Sequence, residues 1–243
     1  MLLEIPHEDF LAALDAVVAE VLLRSGVAAP PVDALVVARC LGIAVATDAS
    51  QGGRGRFVRL AGTPRQPRAA ILVRPDPRPE RRQWAVAHEI GEAVAARVFA
   101  TLAVDPREAP PNAREALASR FAARLLLPEP WFSAHAGESA EDLFELKRRY
   151  HTASHELIAR RLLELAVPAL LTIFDQGRIT CRLANRPGRF PPPSPGEWEC
   201  RRRAGITNLP QRLVEADRRL AAWPVHEEGW QREILRTTWD EFD

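Results

Sequence analysis

Apolar residues recur at helical spacing over 8–24, where Phe10, Leu14, Val17, Val18, Val21 and Leu22 form one stripe. A second helix is predicted over 32–41, with Pro31 suited to its first turn and Gly42 ending it. Gly52, Gly53 and Gly55 mark a turn before two β-like runs, 56–60 and 69–73. Asp76, Pro77, Pro79 and Glu80 then signal a helix that runs to about Phe99. The spacing Asn112-x-x-Glu115 reads as a capping box opening the next helix, which Pro128 and Pro130 stop. Two more helices are predicted over 139–149 and 154–166, separated by the turn His151-Thr152-Ala153, with Ser154 as N-cap.

Beyond residue 166 the pattern shifts to β. The runs 170–174 and 179–183 flank Asp175-Gln176-Gly177-Arg178 as a hairpin. Ile179, Cys181 and Leu183 alternate with Thr180 and Arg182, which predicts that one face of the hairpin is buried. The Pro- and Gly-rich stretch 186–195 reads as a surface loop, 221–225 as a strand, and the end as a polar segment holding Trp230 and Trp239. The chain is therefore expected to divide into 1–130, a helix-turn-helix-like segment over 131–166, and a β-rich part over 167–243.

Composition adds little to this picture. The chain has 243 residues, a net charge of +1, and hydrophobic and charged fractions of 47% and 27%, all ordinary for a soluble globular protein. Such a balance gives no electrostatic push toward nucleic acid. Arg148-Arg149 and Arg160-Arg161 could contact phosphates, yet arginine-rich helix faces are commonly just solvated. Cys40, Cys181 and Cys200 lack metal-ligand spacing and are odd in number, so reduced thiols are expected. The acidic start and the absence of a long apolar run predict neither a signal peptide nor a membrane span, and a cytoplasmic location.

Candidate chemistry centres on Ala87-His88-Glu89-Ile90-Gly91-Glu92. A His-Glu pair occurs four times in the chain, at His7, His88, His155 and His226. Only His88 has a potential ligand four residues on in a long helix. Residues i and i+4 project from one helix face about 40° apart, with their side chains about 6 Å from each other. His88 and Glu92 could thus grip one ion, with Glu89 placed to act as a base. A solvated helix face would show the same residues. Glu115, 27 residues after His88, sits on the next predicted helix beside Ala118 and Ala122, which are small enough for close helix approach. His88, Glu92 and Glu115 would supply three ligands and leave a fourth position open. The capping-box role of Glu115 competes with that one.

The run Glu115-Ala-Leu-Ala118-Ser-Arg-Phe121-Ala122-Ala-Arg-Leu-Leu126-Leu127-Pro128, following Ala87 to Glu92, resembles two blocks of the ImmA/IrrE metallopeptidases. Pro31-Val32-Asp33 and 40–45 are similar to that family's lead-in helix and strand, and 154–165 to its post-catalytic helix. The resemblance covers about 30–166. It departs at Glu92, where the family carries histidine.

The resemblance implies an α+β fold: a mainly helical zincin-like domain with a small sheet, then a helical pair and a β-rich C-terminal domain. It implies a zinc-dependent endopeptidase whose substrate is a protein, such as a helix-turn-helix repressor, with roles in transcription regulation and stress response. His88 and Glu115 carry over as metal ligands and Glu89 as general base, while Glu92 occupies the second ligand position. A second carboxylate shifts preference toward harder ions such as manganese. The alternative is a regulatory protein that keeps the fold with impaired chemistry. His151 with His155 offers a second metal pair four residues apart, and His135, Tyr150 and His226 are candidate oxyanion donors.

Overall fold

A computed structural model describes residues 5–50, 52–60, 69–110, 112–188 and 190–239. Its contacts divide the chain into two compact units: one of residues 1–137 and 148–154, the other of 138–147 and 155–243. The protein is α+β, with a three-stranded sheet in the first unit and a five-stranded sheet in the second.

The first unit opens with α1 (His7–Arg24), whose apolar stripe is buried from Ala13 to Leu22. The next helix, α2 (Ala34–Cys40), starts on Asp33, whose side chain accepts hydrogen bonds from the backbone N–H groups of Leu35 and Val36. Gly42 closes it at φ +74°, a left-handed conformation that suits glycine. Strands β1 (Ile43–Thr47), β2 (Gly55–Arg59) and β3 (Ala69–Val73) form a sheet of order β1-β3-β2. β1 runs parallel to β3 and β2 antiparallel, leaving β2 on an edge.

Beneath them lies α3 (Pro79–Thr101), with Pro79 in its first turn. Val86, Ala87, Ile90, Val94 and Val98 bury its inner face, while Trp84 is half-buried. Helix α4 (Ala113–Leu126) packs on α3 and brings Leu117, Ala118, Phe121, Ala122 and Leu125 into the same core. Gly91 makes the close approach possible. A Cβ there would lie 2.9 Å from the Cα and carbonyl oxygen of Ala118, so no larger residue fits without moving a backbone.

Helix α5 (Glu129–Glu138) follows. The sequence pattern hides it because Pro130 reads as a stop, whereas proline in a first helical turn is tolerated.

The second unit contains α6 (Leu143–Arg149), most of which belongs to it, and α7 (His155–Leu162). Asp142 caps α6 by accepting from the N–H groups of Phe144 and Glu145. Strands β4 (Ala169–Asp175), β5 (Arg178–Ala184), β6 (Gln211–Glu215), β7 (Arg218–Pro224) and β8 (Arg232–Trp239) form an antiparallel sheet of order β5-β4-β8-β7-β6. Helix α8 (Pro195–Thr207) lies on one face, where Cys200 and Ala204 pack with Phe174, Leu220, Ala222 and Leu235.

The hairpin forms where expected, but neither of its alternating sets is fully buried. Ile179, Thr180 and Leu183 are exposed, while Cys181 and Arg182 are half-buried. Arg182 bonds Thr172 and the buried Glu197 of α8, and Thr180 bonds Asp175. The ion pair with Glu197 draws Arg182 against α8.

Candidate metal centre

His88 lies one helical turn before Glu92 on α3, and Glu115 reaches across from the first turn of α4. One ligand atom from each of the three lies within 4.8 Å of the other two. His88 Nε2 is 3.3 Å from Glu115 Oε1. The other ring nitrogen, Nδ1, is 3.3 Å from Ser119 Oγ, one turn further along α4. A partner on Nδ1 fixes the ring's rotation and leaves Nε2 toward the carboxylates.

The capping-box expectation fails here. Asn112 has helical dihedrals and no side-chain cap bond, and the Glu115 carboxylate is directed to His88 instead.

Glu92 is held by an arginine. Arg114 Nε lies 2.5 Å from Glu92 Oε2, and Arg114 Nη2 donates to the Glu92 carbonyl at 2.9 Å. Arg97, further along α3, pairs instead with Glu20 at 3.0 Å.

Glu89 points from the same helix toward β2, where the Phe57 N–H donates to its carboxylate. Gly55 makes room for it: a Cβ there would stand 2.9 Å from Glu89 Cγ and Oε1. Burial raises the Glu89 pKa above its ordinary value. His88 and the Phe57 bond work against that rise, and the nearby Glu92 and Glu115 add to it. A carboxylate so placed is a stronger base than an exposed one.

The donor set suits a divalent ion. One imidazole and two carboxylates are zinc ligands, and the oxygen-rich balance also suits manganese.

The other sequence candidates are found in contacts of their own. Tyr150 is buried, and its hydroxyl is 2.9 Å from His135 Nδ1. His226 belongs to the second unit, where its Nδ1 accepts from the Arg232 N–H. A turn separates His151 from His155, which opens α7. Arg161 is buried on Glu164 and Arg160 bonds Glu156, so neither is a free phosphate contact. The sequence pattern does not single out Ser119, Arg114, Gly55 or Gly91 for these roles, which exist only once α3, α4 and β2 are assembled.

A helix bearing His-Glu, a second helix adding a carboxylate and a small sheet beside them define a metallopeptidase-like fold. The family model described as peptidase M78, IrrE N-terminal-like domain, matches residues 38–163, and the chain belongs to that family. A solved structure of a Mycobacterium tuberculosis transcriptional regulator has a similar fold, with a TM-score of 0.64 at 18% identity, covering 93% of this chain and 75% of that one. Comparison with curated proteins gives no match. No helix among the described residues is long and apolar enough to cross a membrane.

Proposed function

We propose that the protein is a metal-dependent endopeptidase acting on a protein substrate, with a helix-turn-helix repressor as the substrate class and the cytoplasm as its location. The observation that carries this reading is the convergence of His88, Glu92 and Glu115 within 4.8 Å, with the desolvated Glu89 on the same helix. His88, Glu92 and Glu115 would hold the ion, zinc in the first instance and manganese as the alternative. When bound, such an ion supplies Lewis acidity and lowers the pKa of water from 15.7 to about 7. Glu89 takes a proton from the attacking water and returns it to the leaving amine. Ser119 keeps the His88 ring in register, and the space at Gly55 and the Phe57 N–H hold the Glu89 carboxylate against β2, close enough to His88, Glu92 and Glu115 to feel their charge. The three-part division at 130 and 166 belongs to the same proposal, with the β-rich part docking substrate or sensing a signal.

Elemental analysis of the purified chain should find about one divalent ion per molecule. Glu89→Gln should keep that ion and lose cleavage. Cleavage that survives both Glu89→Gln and chelation sinks the proposal.

One observation favours a second reading, a regulatory protein with impaired chemistry. Glu92 stands where the family carries histidine, and it is already engaged by Arg114. Metal-free protein that keeps its full regulatory effect would select this reading.

A further inference from the structure

Arg114 stands one residue before Glu115, so the turn of α4 that delivers Glu115 to His88 also carries a guanidinium across to α3. Its Nε engages Glu92 Oε2 at 2.5 Å, and its Nη2 donates to the Glu92 backbone carbonyl at 2.9 Å. One rigid, planar group thus bonds both the side chain and the main chain of a single residue. Two such bonds fix the direction of a carboxylate as well as neutralise it. An isolated exposed ion pair would do neither and contributes little to stability; the Arg114 side chain is 56% exposed and the Glu92 side chain 21%.

Charge gives the second part of the argument. A divalent ion on one histidine and two carboxylates is neutral overall. On two histidines and one carboxylate it keeps one positive charge. Arg114 beside Glu92 restores that one positive charge.

We propose that Arg114 is a positioning residue for the metal centre. It holds one oxygen of Glu92, keeps the other available to the ion, and offsets the negative charge that Glu92 brings in place of a histidine. The clamp rests on the metal-centre reading above and adds to it a residue that the ligand motif does not contain.

The test uses the full-length chain. Zn2+ is titrated against a competing chelator, and Co2+ absorption reports the ligand field. Arg114→Met and Arg114→Lys are each made with Glu92 present and with Glu92→His. With Glu92 present, Arg114→Met should weaken Zn2+ ten- to a hundredfold, the usual cost of losing a partner that orients a ligand. Melting of the metal-free protein should be unchanged. Arg114→Lys should weaken it as well, because an ammonium cannot bridge the carboxylate and the carbonyl together. With Glu92→His, Arg114→Met should cause no weakening, since the guanidinium then holds only the main-chain carbonyl and no longer a ligand side chain.

Unchanged affinity in Arg114→Met, or equal weakening in both backgrounds, overturns the clamp. Tighter Zn2+ in Arg114→Met with Glu92 present also overturns it, because the ion pair would then shut the site. A wild-type chain that takes up no Zn2+ and no Co2+ overturns the metal centre itself. The two failures are therefore distinguishable.

Discussion

Gly91 and Ala118 face each other across α3 and α4 at a distance that leaves no room for one more carbon: a Cβ on Gly91 would stand 2.9 Å from the Ala118 backbone. The contact lies one residue before Glu92 and one turn after Glu115, so it sets the separation of the two helices that carry the candidate ligands. Gly91→Ala should destabilise the chain by about 1–3 kcal/mol, the usual cost of overpacking a filled core. It should also weaken metal uptake, because α4 must move away. Urea unfolding and a zinc titration measure the two effects. Unchanged values in both would mean that this contact does not set the spacing.

Gly55 plays the same part for Glu89. A methyl group there collides with the carboxylate rather than with a backbone, so the fold should tolerate Gly55→Ala better than Gly91→Ala. If Glu89 is the base, a displacement of about 1 Å should cost about a hundredfold in kcat. Zinc content should stay the same. Loss of metal along with activity would point to a ligand defect instead.

Much of this geometry is legible in the sequence, and the reasons differ by element. The long helices α1, α3 and α4 carry clear apolar stripes, and the strands near 69–73 and 170–174 are short runs of buried aliphatic residues. The hairpin at 175–178 has Gly177 at φ +75°, as its turn residues imply. By contrast, α8, β6 and β8 are hidden. Ser194 caps α8 and Pro195 occupies its first turn, but in a sequence full of prolines both read as loop. β8 reads as a polar tail because its buried residues include Glu233, Arg236 and Thr237, which are inside only because partners such as Arg201 and Glu197 are there too. At the candidate site, helical spacing gives His88, Glu89 and Glu92 a shared region, but Arg114 looks like any exposed helix arginine.

Position 92 provides a direct test of the ligand set. Glu92→Ala should weaken metal binding by more than the 10–100-fold typical of an orienting partner, because a ligand itself is lost. Glu92→His should tighten zinc relative to manganese, as imidazole favours the softer ion. Competitive titration with both metals in the two variants reads the result. Unchanged affinity in Glu92→Ala would remove Glu92 from the site.

Acid should strain the second unit through Glu197. This fully buried carboxylate accepts from Arg182, Thr237 and the Ser194 N–H, and these bonds hold its pKa below the ordinary 4.5 despite the opposing effect of burial. A carboxylate with a lowered folded pKa contributes stability that is complete above about 4.5 and is lost as pH falls through the folded value. Glu197→Gln should therefore cost about 2–3 kcal/mol at pH 7, since it leaves Arg182 without its charge partner. The gap between variant and wild type should narrow below pH 4. A gap that is constant with pH would mean that charge on Glu197 contributes nothing.

The cysteines should separate by reactivity. Burial pushes the Cys200 thiol up to about 11, while Cys40 is exposed. At pH 8 an alkylating reagent should modify Cys40 and spare Cys200 in the native chain, and modify both in denaturant. Peptide mapping by mass spectrometry checks this. Native labelling of Cys200 would show that α8 opens readily from its sheet.

Gln83 accepts from the Ala34 N–H at 2.7 Å and donates to Asp33 Oδ1 at 3.0 Å, so one buried side chain of α3 finishes the first turn of α2. A seven-residue helix is too short to persist alone, so α2 borrows its order from a residue five positions before His88. Amide hydrogen exchange in α2 should follow that of α3. Slow exchange at Val37 and Ala38 would then report, from outside the candidate site, whether the helix that carries it is intact.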